Sequence, residues 1–370
     1  PYILGGAGVY AYNITRELAG KVDFHVLVPD KSSGGITTDV QVPENIKVER
    51  VPYLDLPGLR FPSAGMMMGF RYGKRVDEFD VVHSNSGMGF MLAGRKIETV
   101  HHTIRSEKEF VSSQKELSPM GRLNSIFYYD VRDWLEERSF NTSKGFVTVS
   151  NATKDSLVQD YGIDASKIQV THNGVDVERF KPRDKLDARE RLGLPADKKI
   201  LLFVGRLEER KNLGNLIRAM NSLGECMLVL CGTGPMGDRL KSLANSLGIS
   251  NVSFPGFIPE RDLPYYYDAS DLLVHPADVE GFCLTLVEAL ASGLPVLAQR
   301  KSGMADILDA CRITDTLGDA SPSTISSSVA RMLADDGLGQ RTKTHSMTVR
   351  KLYDWGKIAE NTLKAYKSLP

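Results

Sequence analysis

Short β-branched runs alternate with helix-length stretches twice along this 370-residue chain, and that alternation leaves few folds open. The first series of runs is VDFHVLVP at 22–29, NIKVERVPY at 45–53, VVHSN at 81–85, ETVHH at 98–102 and GFVTVS at 145–150. Helix-like segments lie between most of them, such as VYAYNITRELAG closing at Gly20 and ATKDSLVQDYG closing at Gly162, with glycine at the stop. The second series runs ILLFVG, CMLVLCGTG, VSFPG, DLLVHP and PVLAQ, again with helices between. Such alternation predicts an α/β chain of parallel, doubly wound sheets. Charge-rich KPRDKLDARERLGLPADKK at 181–199 separates the two series and puts a domain boundary near 175–182. The expectation is a Rossmann-like domain over 1–176 and a second over 177–354. Numbering opens at Pro1 on a glycine-rich loop that normally follows a strand, so a first strand is expected to be missing.

Composition narrows the class. The chain is long enough for two sizeable cores, and its 42% hydrophobic and 25% charged residues suit a globular protein in water. A formal net charge of +0 argues against bulk electrostatic binding of nucleic acid. Cys226, Cys231, Cys283 and Cys311 form no C-x-x-C pair, which points away from a zinc site or disulfide framework and toward a reducing cytoplasm. No apolar run reaches membrane-span length and no signal peptide is visible.

The chemistry concentrates in HPADVEGFCLTLVEALASGLPVLA. An apolar run ends at His275-Pro276, Glu280-Gly281-Phe282 follow, and an apolar helix then carries Glu288 and closes at Gly293. Gly281 lets the backbone turn tightly at the mouth of that helix, where unpaired N–H groups and the helix dipole favour phosphate. Two carboxylates flank this anion corner, Glu288 about two turns into the helix. An acid beside a phosphate site accepts hydroxyl hydrogen bonds, and sugar and ribose hydroxyls are the obvious donors. Taken alone, the two glutamates would read as one solvated and one helix-face residue; their context reverses that.

Glu280-x7-Glu288 with GF-x-L-x-L-x-EA between resembles the signature of the retaining nucleotide-sugar glycosyltransferases of the group 1 family (glycosyltransferase family 4), which have the GT-B fold. Further matches fall in the order the family needs: Gly5 to Tyr10 (GGAGVY), VHHT at 100–103, HNGVDVERF at 172–180, FVGRLEERKN at 203–212, LCGTGP at 230–235, PGFIPERDLPYYYDASDLLVHP at 255–276 and YDWGKIAENTLKAY at 353–366. The resemblance spans nearly the whole chain, more loosely between about 30 and 140. It implies two Rossmann-like domains facing a central cleft, with 355–370 returning to the first, acceptor-side domain. Ligands of such folds bind at the carboxyl ends of the strands.

The resemblance also implies roles. Arg206 and Lys211 match the family's diphosphate pair, a guanidinium and an ammonium that stabilise charge on the leaving phosphate; a solvated basic loop is the plainer reading. Gly6 would bring a backbone N–H to the β-phosphate. His102 matches the histidine that contacts the donor sugar; His101 is its rival, since alternation along a strand sends the two in opposite directions. His83 and His172 read as structural. Glu280 would bind donor-sugar hydroxyls and Glu288 the ribose hydroxyls, while backbone amides of Phe282, Cys283 and Leu284 approach the diphosphate. Many relatives have glycine where Cys283 stands, so its side chain must point away or the loop must shift. Ile258 is the candidate for reading the base through its backbone, and Tyr265 to Tyr267 read as helix packing. The donor is expected to be a UDP-sugar. The implied reaction retains stereochemistry by same-face substitution, with no metal and no prosthetic group.

The acceptor is unnamed: a hydroxyl on a glycan, a lipid-linked molecule or a small molecule. RFPSAGMMMGFRYGKR at 60–75 reads either as a Met-rich helix on its own core or as a peripheral membrane contact of the N-terminal domain. SEKEFVSSQKELSPMGRL at 106–123 reads as a mobile loop. Two alternatives stay open, a sugar-nucleotide epimerase of the same fold and a non-catalytic nucleotide-sugar-binding protein.

Overall fold

The computed structural model describes residues 5–29, 43, 45–54, 56, 59–113 and 119–370, with the side chains of 110–127 excepted. Two compact units result, one of Pro1–Asn173 with Trp355–Pro370 and one of Gly174–Asp354. The expected first strand lies outside the described residues.

In the first unit α1 (Gly6–Leu18) leads to β1 (Phe24–Pro29), which pairs in parallel with β2 (Ile46–Val51), Phe24 opposite Ile46. After α2 (Arg60–Tyr72) come β3 (Val82–Asn85), β4 (Lys96–Val100), α3 (Ile104–Ser113), α4 (Pro119–Asn141), β5 (Gly145–Thr148), α5 (Asn151–Tyr161) and β6 (Ile168–Val170). The last four strands form a parallel sheet in sequence order, β3-β4-β5-β6. Helix α5 shows how local signals act: Ser150 Oγ accepts the Thr153 N–H at 3.1 Å, and Gly162 ends the helix at φ 66°. The loop expected over 106–123 is helical on both sides of 114–118, which lie outside the described residues.

Strand β4 begins two residues before the expected run and ends before His101. All five of its residues are buried, Lys96 and Glu98 included. Burial of these charges is tolerated because their bonds are made internally. Lys96 Nζ donates to Gly89 O, Ser139 O, Ser139 Oγ and Thr142 Oγ1 at 2.8–3.0 Å and lies 3.6 Å from Glu98. Glu98 accepts from Ser84, Ser139 and the Gly87 amide.

In the second unit α6 (Lys185–Leu192) lies inside the charge-rich stretch read as a boundary. Asp184 caps it by accepting the Leu186 and Asp187 amides, and buried Arg189 ties it to the Ala269 carbonyl and, at 2.7 Å, to Asp271. Then follow β7 (Lys199–Val204), α7 (Leu213–Ala219), β8 (Cys226–Cys231), α8 (Gly237–Ser246), β9 (Val252–Gly256), α9 (Leu263–Ala269), β10 (Leu272–His275), α10 (Leu284–Ala291), β11 (Val296–Ala298), α11 (Ser302–Ala310), α12 (Pro322–Leu333) and α13 (Leu338–Leu352). The parallel sheet has the order β11-β10-β7-β8-β9. Leu201, Phe203, Leu228, Leu230, Leu272 and Val274 fill its core against Leu213, Leu216 and Ile217 of α7. Each such side chain contributes about 1.5–3 kcal/mol on burial.

Order reverses between β7 and β10, because the chain builds outward from β7 to β9 and then returns to β7's other side. At such a point the two following loops diverge and leave a crevice at the strands' carboxyl ends. Finally α14 (Trp355–Ser368) packs in the first unit, with Tyr10 Oη 3.2 Å from Thr362 Oγ1 and Tyr366 Oη 2.6 Å from His83 Nδ1. Among the described residues no helix is long and apolar enough to cross a membrane.

Candidate active site

Both loops at the β7/β10 crevice carry the expected charges. Beyond Val204 the β7 loop lies against the β8 loop, backbone on backbone: Gly205 N–H donates to Cys231 O at 3.0 Å, and Leu207 N–H to Thr233 O at 3.0 Å. Gly232, at φ 138°, has no room for a side chain, since a Cβ there would fall 2.9 Å from the Gly205 carbonyl carbon. A short 3-10 turn, Glu209–Lys211, then turns Lys211 inward.

Lys211 is buried, and its ammonium contacts Glu280 Oε1. Arg210 reaches the same carboxylate, its Nη1 standing 3.3 Å from Glu280 Oε2 and donating to Val279 O at 2.7 Å. Glu208 links Arg210 (3.0 Å) to Arg206 (2.8 Å). The result is an alternating chain, Arg206–Glu208–Arg210–Glu280–Lys211. Arg206 sits at its exposed end and Lys211 at its buried end, so the expected pair is split in environment. Burial and repulsion by Arg210 lower the Lys211 pKa to about 7, with Cys283 and Glu208 opposing that shift.

His275, the last residue of β10, approaches Glu280 from the core, Nε2 lying 3.3 Å from Oε1. Burial drives its pKa well below the ordinary histidine value, so the ring is neutral near pH 7. His275, Glu280 and Cys283 offer three possible ligand atoms within 4.8 Å of one another. A metal ion entering there must displace Lys211 and Arg210, two cations already in contact with Glu280.

The loop from Glu280 into α10 is held from behind by α11. Gly303 N–H donates to Glu280 O at 2.9 Å, and a Cβ on Gly303 would fall 2.7 Å from the Phe282 Cα. Phe282 is buried against Tyr353, ring centroids 5.5 Å apart. Cys283 caps α10 in the left-handed region, φ 79°, a conformation that favours glycine. Its side chain is buried, with Sγ 3.4 Å from Thr285 Oγ1, and burial raises the thiol pKa. Leu284 opens the helix, where the first N–H groups have no intrahelical acceptor.

Helix α10 starts later than the sequence suggested, which leaves Glu288 about one turn in rather than two. There Glu288 accepts the Tyr267 hydroxyl on Oε2 at 2.6 Å, and burial pushes its pKa up to about 7. Tyr267 is itself in the core, Phe180 edge-on at 5.7 Å. Half-buried Ile258 follows β9 at the same end of the sheet, where Gly256 O accepts the Gly232 N–H. The β10 loop is further braced by Asn212 and Lys301 on Asp278, and by Gln299 on Pro276 O.

The first unit holds the other two expected residues. Gly6 is the first residue of α1, whose opening turn is closed by Gly8 N–H to Gly5 O at 3.1 Å. The two histidines after β4 face opposite ways. His101 is buried, with Nε2 2.8 Å from Asn85 Oδ1, while Asn85 donates to Ala7 O at 3.0 Å, which ties this loop to the start of α1. Burial, with His102 and His83 nearby, lowers the His101 pKa to about 3. His102 is exposed, Nε2 2.7 Å from Glu107 Oε1. Behind it Glu136 accepts the Ile104 N–H at 2.9 Å and the Tyr161 hydroxyl at 2.6 Å, and burial raises its pKa to about 7.

Sequence reasoning missed Arg210, His275, Tyr267 and Gly303. Arg210 stands between two motif positions and His275 just before Pro276, so only their proximity to Glu280 and Lys211 could have marked them.

The sequence profile for glycosyl transferases group 1 matches residues 184–346, and that for glycosyltransferase family 4 matches 4–179. A D-inositol 3-phosphate glycosyltransferase of Streptomyces bingchenggensis is 29% identical over 394 residues, covering 98% of this chain and 84% of that protein. Sucrose-phosphate synthase from Thermosynechococcus elongatus superposes with a TM-score of 0.81 at 21% identity, over 99% of this chain and 94% of that one. HepE of Anabaena, in complex with UDP and glucose, has a TM-score of 0.75 at 19% identity, over 99% and 96% of the two chains. The structural likenesses carry the fold, which is GT-B. With both halves matched in order, the chain belongs to the group 1 glycosyltransferases of family 4.

Proposed function

We propose that this glycosyltransferase moves a sugar, with retention, from a UDP-linked donor to an acceptor hydroxyl. The observation that carries the reading is the gathering of Lys211, Arg210 and His275 on Glu280 at the mouth of α10. A carboxylate held by fixed cations beside a helix N-terminus is pre-organised for a sugar diphosphate. HepE, similar in fold, binds UDP and glucose, which supports a uridine nucleotide here.

In this reading Lys211 and the amides of Phe282, Cys283 and Leu284 take the diphosphate. Arg206 joins them by leaving Glu208. Glu280 accepts donor-sugar hydroxyls, Glu288 the ribose hydroxyls, and the Ile258 backbone meets the base. The bond from the anomeric carbon to the phosphate oxygen breaks as the bond to the acceptor oxygen forms on the same face. The acceptor proton passes to the departing phosphate oxygen. Lys211 and Arg206 supply the positive charge, so the reaction needs no metal and no prosthetic group.

A peripheral membrane contact has one supporting observation. Helix α2 buries Ala64, Met68 and Tyr72 but exposes Met66, Met67 and Phe70 beside Arg71, Lys74 and Arg75. Absence of co-flotation with anionic vesicles would remove it. A cytoplasmic setting is favoured by four free, buried cysteines.

The deciding experiment is a thermal-shift panel of UDP-, GDP- and ADP-sugars on the wild type, Lys211→Met and Glu288→Ala. One UDP-sugar should stabilise the wild type and both variants less, and the transferred sugar should keep its anomeric configuration by NMR. Stabilisation by no nucleotide sugar overturns the reading. A glycosyl adduct trapped on Glu280 overturns the same-face step, and conversion of the donor to its epimer without acceptor makes the protein an epimerase.

A further inference from the structure

Tyr267 is the third of three tyrosines on α9 and is 1% exposed. Its hydroxyl hydrogen goes to Glu288 Oε2 at 2.6 Å, and Phe180, edge-on at 75°, holds the ring in place. Burial keeps the phenol protonated, since its pKa is raised well above the ordinary value. The phenol is therefore a permanent donor.

An ionised carboxylate accepts hydrogen bonds on both oxygens, whereas a protonated one must use one oxygen as a donor. Vicinal ribose hydroxyls offer two donors, so they fit the ionised form. The groups facing Glu288 do not all favour that form. Arg179 does, but it is shared with Glu260 at 3.1 Å, and Glu260 and burial oppose it; Cys283, which also faces it, is a protonated thiol. Tyr267 is the neutral group whose bond stabilises the charge.

We propose that Tyr267 is a positioning residue that holds Glu288 as an oriented, ionised acceptor, and thereby selects ribonucleotides over their 2′-deoxy counterparts. The inference rests on the assignment of Glu288 to the ribose.

The test is calorimetric titration of UDP and dUDP between pH 6 and 9 into wild type, Tyr267→Phe, Glu288→Gln and the double variant. GDP with dGDP, or ADP with dADP, replaces the pair if one of those binds instead. The wild type should favour UDP increasingly as pH rises through 7. Tyr267→Phe should weaken UDP about tenfold at pH 7, move that midpoint to higher pH and lose most of the ribose preference. In the Glu288→Gln background the same change should have no further effect. Incorporation of 3-fluorotyrosine at 267, a stronger donor of the same shape, should move the midpoint down; it decides the matter if Tyr267→Phe does not fold. A Tyr267→Phe protein with a lower Tm but an unchanged midpoint and UDP to dUDP ratio overturns the inference, as do additive losses in the double variant. If Glu288→Gln binds UDP as tightly as wild type, or no nucleotide binds, the ribose assignment itself falls.

Discussion

Replacing Gly303 with alanine tests whether α11 sets the position of Glu280. A Cβ there would stand 2.7 Å from the Phe282 Cα and inside the Gly281 carbonyl, while ordinary Cβ contacts begin at 3.4 Å. The loop must therefore retreat by at least about 0.7 Å, and its backbone cannot rotate away as a side chain can. Overpacking of this kind costs about 1–3 kcal/mol, against which the entropy gain of Gly→Ala returns only about 0.4–1 kcal/mol. The larger effect is on chemistry, because in the proposed reaction Glu280 positions the donor sugar, and a displacement near 1 Å of such a positioning group costs on the order of 10²-fold in rate. Gly339→Ala is the control: it lies in α13 with nothing within 4 Å of its Cβ, and should leave activity alone. The assay is kcat and donor KM alongside urea unfolding for both variants. A folded Gly303→Ala enzyme with kcat/KM within about threefold of wild type would show that the packing of α11 does not position Glu280.

Three further outcomes are expected. Burial raises Glu136 from 4.5 to about 7, so its contribution to stability is complete below the unfolded value and is lost as pH rises through 7, up to about 3 kcal/mol; buried His83 and His101, both lowered, act oppositely. Glu136→Gln should thus gain on wild type between pH 5 and pH 8 in urea unfolding, and a pH-independent difference would refute the assignment. Lys96→Met should cost about 3–5 kcal/mol by leaving Glu98 buried without its cation, and adding Glu98→Gln should restore part of it; a neutral single variant would contradict a charged pair. Cys283→Gly should be more stable than Cys283→Ala by about 1 kcal/mol, because alanine keeps the φ 79° strain without the thiol's packing, and equal melting temperatures would deny the strain.

Much of the fold was legible because hydrophobic periodicity and glycine stops are local signals. The parallel sheets follow from runs such as ILLFVG and CMLVLC, each apolar enough to be buried on both faces. His101 and His102 do diverge as expected, but in the loop after β4 rather than by alternation along the strand, which ends at Val100. Legibility failed where burial was bought with polar partners. Lys96 and Glu98 disguise a wholly buried strand, and their compatibility rests on Ser139 and Thr142, distant in sequence. Helix α6 is polar nearly all round, so its apolar stripe is too thin to read, and Arg189 holds it through acceptors some 80 residues away. Within the candidate site, the glutamates and Lys211 carry motif spacing. Arg210, His275 and Tyr267 have their meaning only through where the chain brings them.

Helix α14 gives the chain an order of assembly. It is synthesised after the whole of Gly174–Asp354, yet it supplies Thr362 to Tyr10 and Tyr366 to His83, and Leu369 just beyond it supplies its carbonyl to Arg95, all within the first unit. On the ribosome the first unit must therefore wait, its surface around Tyr10 and His83 uncovered, while the second can close as soon as Asp354 emerges. The part of the protein made first is completed last.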